Sequence, residues 1–317
     1  MSPTHPEDSD SPPPFERYRS IIPEFDQFLG ALNRPLPTCV WANPNKTTPQ
    51  QLERYFESHH IDYRPLGWVD GAYRLSNVSS PGTRFGFVAG LYHVQEEVSL
   101  LPVELMDLHP GQRILDACAA PGSKTTRIAT TVGQEATVIA NDRNFHRMAP
   151  LARSVDRLGI TNTAVMVHDA TNLPGHIGTF DRLLADVPCS CEATWRKNHE
   201  VGPADDADFQ RLCTIQRAIL ARCLQLCRPG GRVVYSTCSF APEENEAIVD
   251  TVLAEHGDHW DLVPTHIDGF KTSPGLVRWQ DRRFDPRLQH AVRVYPHQND
   301  TGGFFVAVLE HRGEPHD

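Results

Sequence analysis

From residue 86 onward the chain alternates short apolar runs with helical stretches, and this pattern limits the fold more than any other feature. The runs are QRILDA (112–117), ATVIAND (136–142), AVMVHDA (164–170), FDRLLADV (180–187) and GRVVYST (231–237). The longest helical stretch, 208–227, is closed by Arg228-Pro229-Gly230-Gly231. Strand, helix, strand repetition demands right-handed crossovers and a mostly parallel sheet, so the fold class is α/β. The final segment, 291–311, holds two apolar runs joined by Asn299-Asp300-Thr301-Gly302-Gly303, which predicts a C-terminal antiparallel hairpin.

The region before residue 86 reads differently. Residues 1–14 are rich in Pro, Ser and acid, the composition of a disordered tail. Residues 15–85 predict a small α+β unit, with helices in PEFDQFLGAL and TPQQLERYFESHH and strands in TCVWA and GAYRLS. Thr48-Pro49 is a helix cap followed by proline in the first turn. Pro81-Gly82 marks the boundary, leaving 86–317 as the main domain.

Ligands of a parallel α/β sheet bind beyond the carboxyl ends of its strands. Four runs carry an acid there: Asp116, Asp142, Asp169 and Asp186. One such Asp is an ordinary turn or cap residue; four in succession point to a ligand. The first loop, Cys118-Ala119-Ala120-Pro121-Gly122-Ser123-Lys124, is no Walker A loop, because Ser123 separates Gly122 from Lys124. It is no dinucleotide loop either, having one glycine and a proline that lacks an N–H. Acids at the strand ends repel phosphates. They suit sugar hydroxyls, an adenine amine and a positive charge, which together describe S-adenosylmethionine. Asp142 lies about 20 residues past Gly122, at the spacing of a ribose-binding acid.

Two runs lead to cysteines, Cys189 and Cys238. A lone buried cysteine is usually a small hydrophobe, the reading given to Cys39, Cys213, Cys223 and Cys227. Zinc fits Cys189-Ser190-Cys191 poorly, since structural sites pair cysteines two to four residues apart and need a second pair. Nor does Pro188-Cys189-Ser190-Cys191 match the P-C-x-x-C of zinc deaminases. A methyl donor beside two thiols has a direct explanation. A thiolate adding to carbon 6 of cytosine makes carbon 5 nucleophilic enough to take a methyl group. Asp186, three residues before Cys189, would stabilise the adduct near N3, and a second cysteine would assist its release.

Charge and composition limit the partners. The net charge of −10 argues against coating nucleic acid by bulk attraction. Locally, 271–293 sets Lys271, Arg278, Arg282, Arg283, Arg287 and Arg293 against Asp281 and Asp285, a candidate polyanion contact balanced against a plain solvated face. No apolar run approaches membrane-spanning length and no secretory leader is evident, so the expectation is a cytoplasmic protein with reduced cysteines.

DACAAPGSKTT, DVPCS followed by RKN, and YSTCS followed by EENE, in that order, resemble the Sun/Fmu-type RNA cytosine-5 methyltransferases. GLYHVQEEVSLLPVELM (90–106) and RVYPHQNDTGGFFVAVL are similar to that family as well, and RPLP in the N-terminal unit is closest to its RsmF-like ribosomal branch. The resemblance covers nearly all of 15–317. It implies a class I Rossmann-like methyltransferase domain preceded by an RNA-binding unit. It puts S-adenosylmethionine against the 118–124 loop, with Asp142 on the ribose, Asp169 near the adenine and Asp186 near the reacting centre. Cys238 would be the nucleophile and Cys189 the release residue, where DNA cytosine-5 enzymes attack with the Pro-Cys thiol instead. Arg196 and Lys197 would touch RNA. The implied protein is a monomer that acts on ribosomal RNA, with transfer RNA as the alternative, and needs neither membrane nor metal. A catalytically silent RNA-binding assembly factor is the rival of another class. Two departures stand out: Cys191-Glu192-Ala193 replaces the family's Gly-x-Gly, and Trp41-Ala42-Asn43-Pro44-Asn45-Lys46 lacks the arginine usual in the N-terminal run.

Overall fold

The computed structural model describes residues 15–199, 201 and 205–313. The expected disordered tail, 1–14, lies outside them.

The N-terminal unit is a four-stranded antiparallel sheet with helices. Its strands are β1 (Thr38–Ala42), β2 (Tyr63–Pro65), β3 (Ala72–Leu75) and β4 (Tyr92–Val94), in the order β2-β3-β1-β4. The edge strand β4 comes from beyond residue 85, so this sheet is completed by the segment leading into the main domain. The helix Pro49–Ser58 begins as the sequence predicts. Thr48 and Gln51 exchange side-chain and backbone hydrogen bonds in a capping box, with Pro49 in the first turn.

The main sheet is built from β5 (Arg113–Asp116), β6 (Thr137–Asn141), β7 (Thr163–Met166), β8 (Phe180–Asp186) and β9 (Cys227–Thr237), followed by β10 (Trp260–Leu262) and β11 (Ser273–Pro274). A two-residue ribbon, β12 (Arg278–Trp279) with β13 (Arg282–Arg283), stands apart from it. The sheet closes with β14 (Val292–Val294) and β15 (Phe304–His311). The order is β11-β14-β15-β9-β8-β5-β6-β7, with β10 also on β15. Neighbours from β9 to β7 are parallel and those involving β15 and β14 are antiparallel. This is the Rossmann-like, doubly wound arrangement with an antiparallel addition at one edge.

The central strands are buried on both faces along 183–185 of β8 and 233–235 of β9, and these stretches read as unbroken apolar runs. Two boundaries differ from expectation. Strand β9 starts at Cys227, not 231; its register against β8 jumps between Phe180↔Cys227 and Arg182↔Arg232, so Pro229-Gly230-Gly231 bulges from within the strand. Strand β7 stops at Met166, before His168 and Asp169, because Asp169 turns the chain by capping the short helical turn Ala170–Asn172.

The two units are tied together by residues of the 41–46 run. Asn43 Nδ2 donates to the carbonyls of Gly90 (2.8 Å) and Leu158 (2.9 Å), and Lys46 Nζ donates to those of Ala89 (3.0 Å) and Arg157 (2.8 Å). Trp41 is fully buried, its indole N–H on Gln95 at 2.9 Å. Here Asn43 and Lys46 act as an interdomain clasp. Among the described residues no helix is long and apolar enough to cross a membrane.

Candidate active site

Strands β5, β8 and β9 are adjacent and parallel, so their carboxyl ends open on one side of the sheet. A cavity of about 670 Å³ lies there. Its floor is the 118–124 loop with Asp116, Asp186 and Cys238, and its roof is Leu36–Cys39, Pro81 and Val94 of the N-terminal unit. Cys118, Ala119, Ala120, Pro121, Ser123 and Lys124 line it directly. Gly122 lies behind them at φ +112°, a conformation that suits glycine, and a Cβ there would press on Leu151.

The acids divide into distinct environments. Asp116 is fully buried, and its Oδ2 accepts from Thr125 Oγ1 at 2.6 Å while Oδ1 has no partner. Burial pushes its carboxyl up to about 7. Asp186 accepts from Ser236 Oγ (2.7 Å) and from Lys124 Nζ (2.8 Å). Burial opposes charge on Lys124, but Asp186 outweighs it and holds the ammonium above its usual range. Asp142 sits one layer behind the cavity wall, where its Oδ2 takes the N–H of Ala120 at 3.2 Å. Asp169 is exposed and caps its own turn through Thr171, whose N–H and hydroxyl hold its carboxyl below the usual range. Neither Asp142 nor Asp169 lines the cavity.

An orphaned buried acceptor on the wall, next to a loop tied to Asp142 through Ala120 N–H, fits a ligand that brings its own donors. S-adenosylmethionine has them in its ribose hydroxyls and its ammonium group. Asp116, Asp186 and the 118–124 backbone are the groups that would hold it, and its sulfonium would supply the electrophilic methyl carbon.

The two strand-end cysteines converge. Cys189 Sγ lies 3.4 Å from Cys238 Sγ, and Cys191 Sγ lies 4.0 Å from Cys189 Sγ. Like charges this close do not ionise together, so the cluster holds one thiolate. Hydrogen bonds from Cys189 and then Cys238 bring the Cys191 thiol down to about 3, against the effect of burial. The bonds to Cys191 and Cys238, with burial, push Cys189 up. Cys189 works to lower Cys238, but its bond to Cys191 and burial outweigh that and raise it. By contrast, burial pushes Cys213, Cys223 and Cys227 up to about 12, and they pack as small hydrophobes. Cys39 is buried and also borders the cavity.

Sequence reasoning missed what fixes these thiols. The buried Glu244 accepts from Ser190 N–H (2.9 Å), Ser190 Oγ (2.5 Å) and Gln216 Nε2 (2.8 Å), which anchors the Cys189 loop. Asn245 accepts from Thr237 Oγ1 (2.5 Å) and donates to Ser239 O (3.0 Å), on either side of Cys238. The signal was the EENE run, visible in the sequence but given no role. Glu96 was also missed. It borders the cavity, burial raises its carboxyl, and it accepts from Gly302 N–H at 2.7 Å. Only glycine permits that approach, because a Cβ on residue 302 would fall 2.1 Å from Glu96 Oε1.

The expected RNA contacts separate. Lys197 is exposed on the cavity rim. Arg196 is buried, and four of its N–H groups bind Arg34 O, Pro35 O, Thr301 O and Asp300. It pins the Cys189 loop to the N-terminal unit and to the β14–β15 connection, so a direct RNA contact by Arg196 is corrected to a clamp. The 271–293 stretch is divided: Lys271, Arg278 and Arg283 are exposed, while three other arginines are engaged by acids. Arg293 is buried against Glu246 and Phe240 O, Arg282 pairs with Asp250, and Arg287 pairs with Asp285.

A Rossmann-like sheet with the 118–124 loop after β5 and two thiols just beyond β8 and β9 is the framework of a methyltransferase fold. The chain belongs to the 16S rRNA methyltransferase RsmB/F family, whose model matches residues 103–310, and the model for the N-terminal domain of 16S rRNA methyltransferase RsmF matches residues 12–97. It is an S-adenosylmethionine-dependent family. A mouse 28S rRNA (cytosine-C(5))-methyltransferase is 35% identical over 91% of this chain and 37% of its own length. The chain thus spans well under half of that relative. A tRNA (cytosine(49)-C(5))-methyltransferase from Pyrococcus abyssi is 30% identical over 93% of this chain and 94% of its own. A crystal structure of a methyltransferase homologue from Pyrococcus horikoshii superposes with a TM-score of 0.82 at 26% identity, covering 93% of each chain.

Proposed function

We propose that this protein transfers a methyl group from S-adenosylmethionine to carbon 5 of cytosine in RNA, through a covalent bond between Cys238 Sγ and carbon 6. The observation that carries the reading is the 3.4 Å separation of Cys189 and Cys238 at the edge of a cavity floored by the donor loop. Cys238 passes its proton to the cluster's one thiolate and adds to carbon 6, and the electron pair of the 5,6 double bond moves to carbon 5, which takes the methyl group. The Lys124–Asp186 pair borders the same cavity and bears a proton that can stabilise the charge developing toward N3. With Cys238 held as a thioether, Cys189 releases its own proton to solvent and takes the carbon 5 proton, the C–H electrons restore the double bond, and the Cys238 thiolate leaves. Asp142 shapes the donor loop through Ala120, and Asp169, outside the cavity lining, is given no contact with the donor. A base in a helix is first flipped out, at about a few kcal/mol.

The N-terminal unit, residues 15–85, roofs the cavity and serves RNA binding together with Lys197. The substrate is ribosomal RNA, a reading supported by the match to the RsmF N-terminal domain. Transfer RNA is the second reading, supported by a tRNA-modifying relative that is matched over nearly its whole length. The test is methyl incorporation from labelled donor into purified ribosomal RNA and transfer RNA, followed by bisulfite sequencing. Incorporation at a cytosine in either RNA identifies the substrate. No incorporation into either, with donor bound, would favour a non-catalytic RNA-binding factor.

A further inference from the structure

The mechanism uses two thiols, yet the site holds three. Cys191 occupies a backbone position at φ +60° and ψ 16°, a left-handed conformation that favours glycine. Its side chain reaches back toward Cys189 and borders the cavity. The Sγ atoms of Cys189, Cys191 and Cys238 all lie within 4.8 Å of one another, with separations of 3.4 Å and 4.0 Å about Cys189. Three thiolates bound at about 2.3 Å to one tetrahedral ion sit roughly 3.8 Å apart. The cluster therefore has the spacing of a three-sulfur coordination site before any rearrangement. Two of its members face the cavity, which leaves a fourth position open to solvent. Sequence reading set zinc aside for want of ligands beyond Cys189-Ser190-Cys191; strand β9 brings the third sulfur alongside.

We propose that Cys189, Cys191 and Cys238 form a binding site for a soft d10 cation of the Zn2+ class, whose occupancy excludes attack by Cys238 on a base. Thiolates select such ions over Mg2+ or Ca2+. Each thiol that coordinates loses its proton to solvent, and the cation relieves the repulsion that otherwise limits the cluster to one negative charge. Cys238 Sγ cannot donate the same electron pair to the metal and to carbon 6, so the metal-loaded protein is silent until the ion is removed.

The test uses full-length reduced protein with Cd2+ alone as probe, read by the ultraviolet sulfur-to-cadmium charge-transfer band. This arm needs neither RNA nor methyl donor, so it is independent of the proposed reaction. The wild type should show a band that saturates at one equivalent. Cys191→Gly should weaken binding by more than about 100-fold, beyond the loss typical of outer-shell partners. Cys191→Ser serves as a second variant, and circular dichroism checks that both fold. A missing band, or undiminished affinity in both variants, overturns the site. In a second arm, Zn2+ should inhibit methyl transfer by the wild type reversibly with a chelator, and inhibit each variant far less relative to its own metal-free rate. Zinc bound at one equivalent without inhibition overturns the exclusion.

Discussion

The two thiols stand 3.4 Å apart but are held in different ways. Cys238 follows the last residue of an eleven-residue strand, and the segment around it is locked by its near neighbours: Thr237 and Ser239 both bind Asn245, a few residues further on. Cys189 lies on a loop past the end of β8, and distant residues shape that loop. Glu244 holds Ser190, Gln216 donates to Pro188 O, Tyr18 binds Glu192 and Arg196 reaches Thr301. One sulfur is fixed by local structure, the other by the assembled fold. The lesson is that the position of Cys238 should survive damage elsewhere, whereas that of Cys189 should not.

The largest expected effect comes from removing the fixed thiol. Cys238→Ala should lower methyl transfer by at least about 10⁴-fold, as for other lost nucleophiles, while donor binding by calorimetry stays near wild type. Cys189→Ala should form the adduct and fail to release it, leaving a protein–RNA band that resists denaturant on a gel. A variant that turns over without such a band would remove the release role.

Glu244→Ala sharpens the contrast between the two strand ends. It leaves buried donors on Ser190 and Gln216 unpaired and should destabilise the fold by about 3 kcal/mol in urea unfolding. Hydrogen exchange should rise across 188–195 more than across 236–240. Equal rises would erase the distinction drawn above.

A smaller effect concerns pH. Burial raises Glu192, on the Cys189 loop, to about 7. Its unfolded value is near 4.5, so between about 4.5 and 7 the native state keeps a proton that the unfolded chain has lost. Stability should therefore fall as pH rises through that window and level off above it. Asp116 acts in the same sense, from 3.8 to about 7. Glu192→Gln should flatten part of the slope of Tm against pH; an unchanged slope would deny Glu192 its share. The smallest change is Cys191→Gly, which relieves a positive φ and should stabilise the protein by up to about 1 kcal/mol.

The same contrast explains what the sequence made legible. The β5–β9 alternation, the donor loop and both thiols follow from local pattern: apolar period, glycine placement and strand ends. The hairpin was also visible, as β14 and β15 pair antiparallel with Val292 opposite Val306. What was missed depends on partners far along the chain. Nothing local marks Arg196 as a buried clamp, since its acceptors lie more than 100 residues away. Lys46 and Asn43 likewise look like surface polar residues until the helix carrying Arg157 and Leu158 is packed against them. The basic count over 271–293 overstates the open charge, because a sequence does not show buried counter-charges such as Glu246 for Arg293. Cys191 read as a departure from Gly-x-Gly, and only the folded loop shows its sulfur beside the other two.

The most direct test of the account is to offer the protein RNA in which cytosine carries fluorine at carbon 5, with S-adenosylmethionine, and to map the trapped nucleotide by peptide mass spectrometry. Fluorine cannot leave as a proton, so the adduct persists. The account predicts the nucleotide on the peptide bearing Cys238. Attachment at Cys189 or Cys191, or none with the donor consumed, would contradict it.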